Sequence, residues 1–123
     1  MTMRTTALLV SALALAAAAP ALAQNADTSK KKIVLSNNYA GNSWRQAMLK
    51  SWEKNGKDAV AKGMVASAQS FTTAENQATE QAAQIQNMIL QGVDAIVVNA
   101  ASPTALNGAV KQACDAGDRK SVV

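Results

Sequence analysis

The chain has no histidine, one cysteine (Cys114), two prolines and four aromatic residues among 123. Without histidine it cannot assemble a Ser-His-Asp triad, a Cys-His dyad or a histidine-based metal site, and one thiol cannot make a cysteine-based one. A lone cysteine also cannot close an internal disulfide, so stability has to come from packing. Neither G-x-G-x-x-G nor G-x-x-x-x-G-K-[ST] occurs, so the glycine-rich turn that cradles a nucleotide's phosphates is missing. The eight acidic residues fall mostly within predicted helices and only Glu75 is near a loop at the carboxyl end of a predicted strand, which leaves no carboxylate pair for glycoside hydrolysis there. The common hydrolase and nucleotide chemistries are thereby disfavoured, an enzyme is not expected, and no metal or cofactor is called for.

What is present starts with hydrophobicity at one end. Seventeen of the first 23 residues are hydrophobic, against 43 of the remaining 100, an ordinary globular fraction. Arg4 gives a positive start, and residues 7–19 are apolar except for Ser11. Pro20 then interrupts, and Ala21 and Ala23 are small residues at the positions a signal peptidase reads. Residues 1–23 are read as a signal peptide cleaved before Gln24, which directs the chain to the periplasm or an equivalent extracytoplasmic space. No second run of membrane-spanning length follows, so the mature chain is not expected to span a membrane. It carries 11 basic and 8 acidic residues, a charge of +3. Lys30, Lys31 and Lys32 are consecutive, but no aromatic residue interleaves with them to stack bases, so nucleic acid is not an expected partner.

After a polar linker at 24–31, strand and helix signals alternate. Ile33-Val34-Leu35 is a short continuous apolar run that suits a strand buried on both faces. Asn37, Asn38, Gly41 and Asn42 mark a loop, with Asn42 or Ser43 as N-cap of a helix over 44–62, whose apolar positions are Trp44, Met48, Trp52, Ala59 and Val60. Gly56 is expected to weaken this helix by roughly 1 kcal/mol relative to Ala, and Gly63 to end it. A second strand is predicted over 64–71, and a second helix opening at Thr72 and Thr73 with Ala78, Ala82, Ile85 and Ile89 on its apolar face. Gly92 ends that helix, residues 95–98 form a third strand, and Ser102-Pro103-Thr104 starts a third helix with Leu106, Ala109, Val110, Ala113 and Cys114 facing inward. Cys114 is thus expected as a small core residue. The order β-α-β-α-β-α predicts an α/β fold, a parallel sheet with helices on both faces.

Ligands of such sheets bind at the carboxyl ends of the strands, here the loops after Leu35, Phe71 and Val98. These loops hold Asn37, Asn38, Asn42, Ser43, Thr72, Thr73, Asn76, Asn99 and Ser102, with Tyr39 and Trp44 close by. Amides and hydroxyls match the donor and acceptor pattern of a neutral polyol, and an aromatic face packs on its C–H surface. The same residue types are also common caps and turn formers, and Trp44 shares helical spacing with Met48 and Trp52, so a structural role remains open for each.

Three blocks carry a resemblance: Leu35-Ser36-Asn37-Asn38-Tyr39-Ala40-Gly41-Asn42-Ser43-Trp44-Arg45-Gln46; Gln84-Ile85-Gln86-Asn87-Met88-Ile89 with Gln91-Gly92-Val93-Asp94-Ala95-Ile96-Val97-Val98-Asn99; and Ala101-Ser102-Pro103-Thr104-Ala105-Leu106. They resemble the N-terminal lobe of type I periplasmic binding proteins of the ribose-binding kind, sugar-binding components of ABC transporters, over residues 32–117. LacI-type repressors share this lobe, but the signal peptide and the lack of a DNA-binding headpiece favour the transporter branch. The resemblance implies a Rossmann-like lobe that holds a sugar or related polyol against a second lobe and delivers it to a membrane permease. It also implies that Trp44 stacks on the sugar, with Ser43 where a second aromatic usually stands, and that Asn76 contacts ligand after the second strand. Asn42, Arg45 and Ser102 join the candidate site by loop position. Alternatives are a sensory protein that presents its ligand to a chemotaxis receptor and, last, an exported α/β enzyme. After Gly117 the family pattern asks for a fourth apolar strand, whereas residues 118–123 read Asp-Arg-Lys-Ser-Val-Val. Those six can be written GAT CGG AAG AGC GTC GTG, the opening of a common sequencing adapter, and are expected to be a non-native tail.

Overall fold

A computed structural model describes residues 26–117 and the backbone of 119–122. The predicted signal peptide and its cleavage point lie outside the described residues. The elements run β1 (Lys32–Asn37), α1 (Ser43–Ala61), β2 (Ser67–Thr72), α2 (Ala78–Leu90), β3 (Ala95–Asn99), α3 (Asn107–Asp115) and β4 (Arg119–Val122). All neighbouring strands pair in parallel, in the order β2-β1-β3-β4. The α/β reading therefore holds. Four of the six tail residues, 119–122, pair with β3 through their backbone; edge pairing uses main-chain groups and does not require the apolar side chains that the pattern asked for.

Strand pleating sorts the side chains. Val34, Ile96 and Val98 point to one face, where they pack with Ile85 and Met88 of α2 and Leu106, Ala109 and Ala113 near and on α3. Complete burial of Ile85, Ile96 and Val98 each contributes about 1.5 to 3 kcal/mol. Ile33, Leu35 and Val97 point to the other face. There they line an open, mostly apolar cavity of about 490 Å³ together with Met48, Ser51, Trp52, Asn55, Gly56 and Ala59 of α1 and Ala68 of β2. Among the described residues, no helix is long and apolar enough to cross a membrane.

Helix ends match the glycine signals, for a reason in the main chain. At Gly63 (φ +66°) the Gly63 N–H donates to the Val60 carbonyl and the Met64 N–H to that of Ala59, the paired bonds of a Schellman cap. Gly92 (φ +65°) repeats the arrangement with Ile89 and Met88. Met64 is consequently part of the cap, and β2 starts at Ser67 rather than 64.

Helix starts differ more. Thr73 donates its N–H to the Asn37 carbonyl and so continues alongside β1, and the chain turns at Asn76 (φ +58°) before α2 begins at Ala78 instead of Thr72. Ser102, expected to begin the third helix, lies in a turn, and α3 starts at Asn107. The inward face of α2 is Gln81, Ile85 and Met88, with Ala82 and Ile89 only partly buried beside it. Cys114 is exposed, not in the core, because the buried series Leu106, Ala109, Ala113 places it one residue past the inward face of α3. Gly56 is the buried residue of α1: a Cβ there would lie 2.8 Å from the Ala68 Cβ, so glycine permits the close approach of α1 to β2. Residues 26–31, read as a linker, are tied down in part by a Thr28 hydroxyl that donates to the Met64 carbonyl.

Candidate functional site

The order β2-β1-β3 means that successive connections leave β1 and β3 in opposite directions, and a crevice forms outside the carboxyl ends at such a reversal. In register across that edge stand Thr72, Asn37 and Asn99. Asn37 is fully buried and links all three strands. Its Nδ2 donates to the Tyr39 carbonyl (2.9 Å) and to Thr72 Oγ1 (3.3 Å), while its Oδ1 accepts from Asn99 Nδ2 (3.1 Å) and Arg45 Nη1 (3.3 Å). Asn38 Oδ1 accepts a shorter bond from the same Arg45 Nη1 (2.6 Å), and Asn38 Nδ2 donates to the Ala100 carbonyl (3.1 Å).

Helix α1 brings the aromatic groups to this edge. Asn42 adopts an extended N-cap conformation and its Oδ1 accepts the Arg45 N–H at 2.9 Å, fixing the first turn. Trp44 and Arg45 follow directly. Trp44 is 62% exposed and so is not a core residue, despite its helical spacing with Met48 and Trp52. Trp52 is half-buried and its Nε1 donates to the Gln69 carbonyl (3.0 Å), so it packs α1 onto β2. The half-buried Arg45 guanidinium lies over the Tyr39 ring at 5.8 Å and the Trp44 ring at 5.9 Å, both within cation–π range. Tyr39 in turn folds over Gly41, where a Cβ would collide with its ring.

Of the five residues named from sequence, Asn42, Trp44 and Arg45 come together in the first turn of α1. Asn76 is exposed in the β2–α2 turn and forms no hydrogen bond to them among the described residues. Ser102 spends its hydroxyl as an acceptor for the N–H groups of Thr104 (3.4 Å) and Ala105 (3.1 Å), which shapes the β3–α3 turn. Sequence reasoning missed Gln81. It is fully buried on the other face of the sheet, with Nε2 donating to the Ser36 hydroxyl (3.0 Å) and Asn99 carbonyl (3.0 Å) and Oε1 accepting the Ala101 N–H (2.8 Å). The available signal was an amide four residues before Ile85, on the apolar side of α2.

The large apolar cavity under α1 is a separate feature, away from the strand ends, and its walls offer little to a polar ligand. The strand-end crevice instead joins an exposed indole, an oriented guanidinium and a braced floor of amides. Such a surface can stack on a ring and donate hydrogen bonds to it.

Comparison with known proteins agrees with this architecture. A family model described as a periplasmic binding protein domain matches residues 33–117. Among solved structures, an ABC transporter solute-binding protein from Thermobispora bispora is similar at 45% identity and a TM-score of 0.73, over 76% of this chain and 29% of that one. A solute-binding protein from Burkholderia multivorans, holding an unknown ligand represented as α-D-erythrofuranose, is 26% identical with a TM-score of 0.69, over 76% and 32%. One from Bacillus halodurans with bound myo-inositol shares the fold at 23% identity and a TM-score of 0.62, over 79% and 32%. A comparison with curated proteins gives no match. The chain thus spans less than a third of the length of these structures. The family match over residues 33–117, with which the parallel strand order agrees, establishes that this chain belongs to the periplasmic binding protein family, a family of binding proteins rather than enzymes.

Proposed function

We propose that the chain is the N-terminal lobe of the substrate-binding component of an ABC importer, which takes a sugar or related polyol in the periplasm and passes it to a membrane permease. On this reading residues 1–23 are a signal peptide removed before Gln24, 24–31 lead into the lobe at 32–117, and 118–123 are not native. The observation that carries the reading is the exposed Trp44 beside the braced Arg45 at the carboxyl ends of β1 and β3. A stacking face and hydrogen-bond donors converge there, which supports binding of a ring that carries hydroxyl groups. The similar Burkholderia multivorans protein holds a ligand represented as a four-carbon sugar, which supports the ligand class.

Further chain packed on this lobe is supported by the open apolar cavity under α1, apart from the strand-end site. A cavity walled by Ile33, Leu35, Met48, Trp52 and Val97 is costly to leave in water, and further chain covering it would remove that cost. Two experiments test the proposal. Resequencing the locus from independently prepared DNA is expected to show the reading frame continuing past Gly117, and a native stop after Val123 rejects the non-native tail. Isothermal titration of the protein that the resequenced locus encodes, against pentoses, hexoses and inositols, is expected to give micromolar or tighter binding. Failure of every sugar and polyol in that panel rejects the ligand class. Residues 24–123 alone are expected to bind none of them measurably, because half a site leaves one face of the ligand in water.

A further inference from the structure

Arg45 is the one cationic side chain among the described residues that is not exposed; every lysine there lies at the surface. Four of those lysines have carboxylate partners: Lys31 with Asp94, Lys54 with Asp58, Lys57 with Glu53 and Lys111 with Asp115. Arg45 has none among the described residues. Its polar partners are two neutral amide oxygens, both reached through Nη1, and its π partners are Tyr39 and Trp44. Amide dipoles and ring faces orient and solvate a guanidinium but leave its full positive charge in place. The first turn of α1 contains no acidic residue, so nothing on that helix end offsets it.

The bracing also decides which donors are spent. With Nη1 committed to Asn37 and Asn38, Nε and Nη2 make no hydrogen bond among the described residues and form one edge of the guanidinium fork. That edge fits a carboxylate or phosphate with two parallel bonds. Closing a binding site over this group desolvates its charge, a cost that an anionic group of the ligand, or a carboxylate of the covering lobe, would offset. The loops at the carboxyl ends of β1, β2 and β3 offer only the exposed Glu75, and no carboxylate lies within salt-bridge distance of Arg45 among the described residues.

We propose that the ligand is an anionic sugar, with a carboxylate or phosphate received by Arg45 while its ring lies against Trp44. This rests on the sugar-binding reading of the site and narrows it. Charge-assisted hydrogen bonds are roughly twice as strong as neutral ones, so an acid is expected to bind about tenfold more tightly than its neutral parent.

The test is isothermal titration of the protein encoded by the resequenced locus with matched pairs: D-glucose and D-glucuronate, D-galactose and D-galacturonate, D-ribose and D-ribose 5-phosphate. The expected result is at least one pair in which the anion binds about tenfold or more tightly than its parent, a preference abolished in Arg45→Met and kept in part in Arg45→Lys. The comparison within the unsubstituted protein stands even if Arg45→Met fails to fold. Neutral members that bind as well as or better than their acids, with affinity lost in Trp44→Ala, overturn the anionic ligand and leave the sugar site standing. Absence of binding by both classes overturns the sugar reading and this inference with it.

Discussion

Asn37 and Gln81 hold the end of β3 from opposite faces of the sheet. Asn37 Oδ1 accepts from the Asn99 side chain at 3.1 Å on the α1 face, and Gln81 Nε2 donates to the Asn99 carbonyl at 3.0 Å on the α2 face. Gln81 also reaches Ser36, the residue before Asn37, so the last two residues of β1 and the last of β3 form one cross-braced unit. Both amides are fully buried, where satisfied hydrogen bonds are strong and unsatisfied ones costly. A rigid floor of this kind sets where Arg45 sits, since its Nη1 is bonded to the same Asn37 oxygen.

Replacing Gln81 by Leu tests the brace. Leucine fits an apolar helix face but leaves the Ala101 N–H without its acceptor and the Ser36 hydroxyl without its donor. The expected loss is about 2 to 3 kcal/mol in denaturant unfolding, the cost of orphaned buried groups. A change within 0.5 kcal/mol would show that the network holds nothing.

Much of this architecture is legible in the residues, and the illegible parts share a cause. Ile33-Val34-Leu35 and residues 95–98 read as strands because both faces are covered and the run is continuous. Gly63 and Gly92 read as helix ends because only a left-handed residue closes the cap found there. Helix starts mislead because Thr72, Thr73 and Ser102 are cap-forming types with other uses here: Thr72 and Thr73 extend a strand by pairing with Asn37, and Ser102 shapes a turn by accepting from Thr104 and Ala105. Gln81 is invisible for a related reason: an amide reads as polar surface until the backbone groups of two strands meet around it. At the site, Asn42, Trp44 and Arg45 stand out by position, but that Trp44 faces outward while Trp52 packs on β2 depends on how α1 docks, and spacing alone does not contain that.

Gly56 sets the docking distance of α1. Alanine there would gain roughly 1 kcal/mol of helix propensity but place a methyl group 2.8 Å from the Ala68 Cβ, which has no rotamer to escape into. Overpacking of that kind costs about 1 to 3 kcal/mol, so Gly56→Ala is expected to destabilise by up to about 2 kcal/mol net. A double-mutant cycle with Ala68→Gly should show favourable coupling between the two substitutions. Stabilisation by Gly56→Ala alone would mean that α1 does not approach β2 this closely.

The start of β1 should carry a pH signature. Asp94 accepts from Lys31 Nζ and from the Lys32 N–H, each at 2.9 Å, and these bonds hold its carboxyl below the usual aspartate range. A depressed folded value means that the unfolded chain binds the proton more readily. The stabilisation is therefore complete above the ordinary aspartate pKa of about 3.9 and is lost as pH falls through the folded value. Melting curves of Asp94→Asn should lie below those of the unsubstituted protein near neutrality and converge with them in acid. A gap that stays constant down to pH 2.5 would assign the effect to packing rather than charge.

The two tryptophans give the sharpest contrast, because the same residue type eight positions apart on one helix meets two environments. Trp44 is 62% exposed at the strand-end crevice, whereas Trp52 is half-buried and anchored by its Nε1 to the Gln69 carbonyl. Removing an exposed ring deletes little packing in the free protein but removes the surface on which a bound ring would lie. Trp44→Ala in the protein encoded by the resequenced locus should thus weaken affinity about thirtyfold, near the 2 kcal/mol typical of a binding hot spot, with a melting temperature close to that of the parent. Trp52→Ala removes a half-buried ring and its hydrogen bond from between α1 and β2, so it should destabilise by about 3 kcal/mol. Where Trp52→Ala still folds, its affinity should fall much less than that of Trp44→Ala. Melting temperatures depressed equally by both substitutions, with affinity unchanged in Trp44→Ala, would move the ligand away from the first turn of α1.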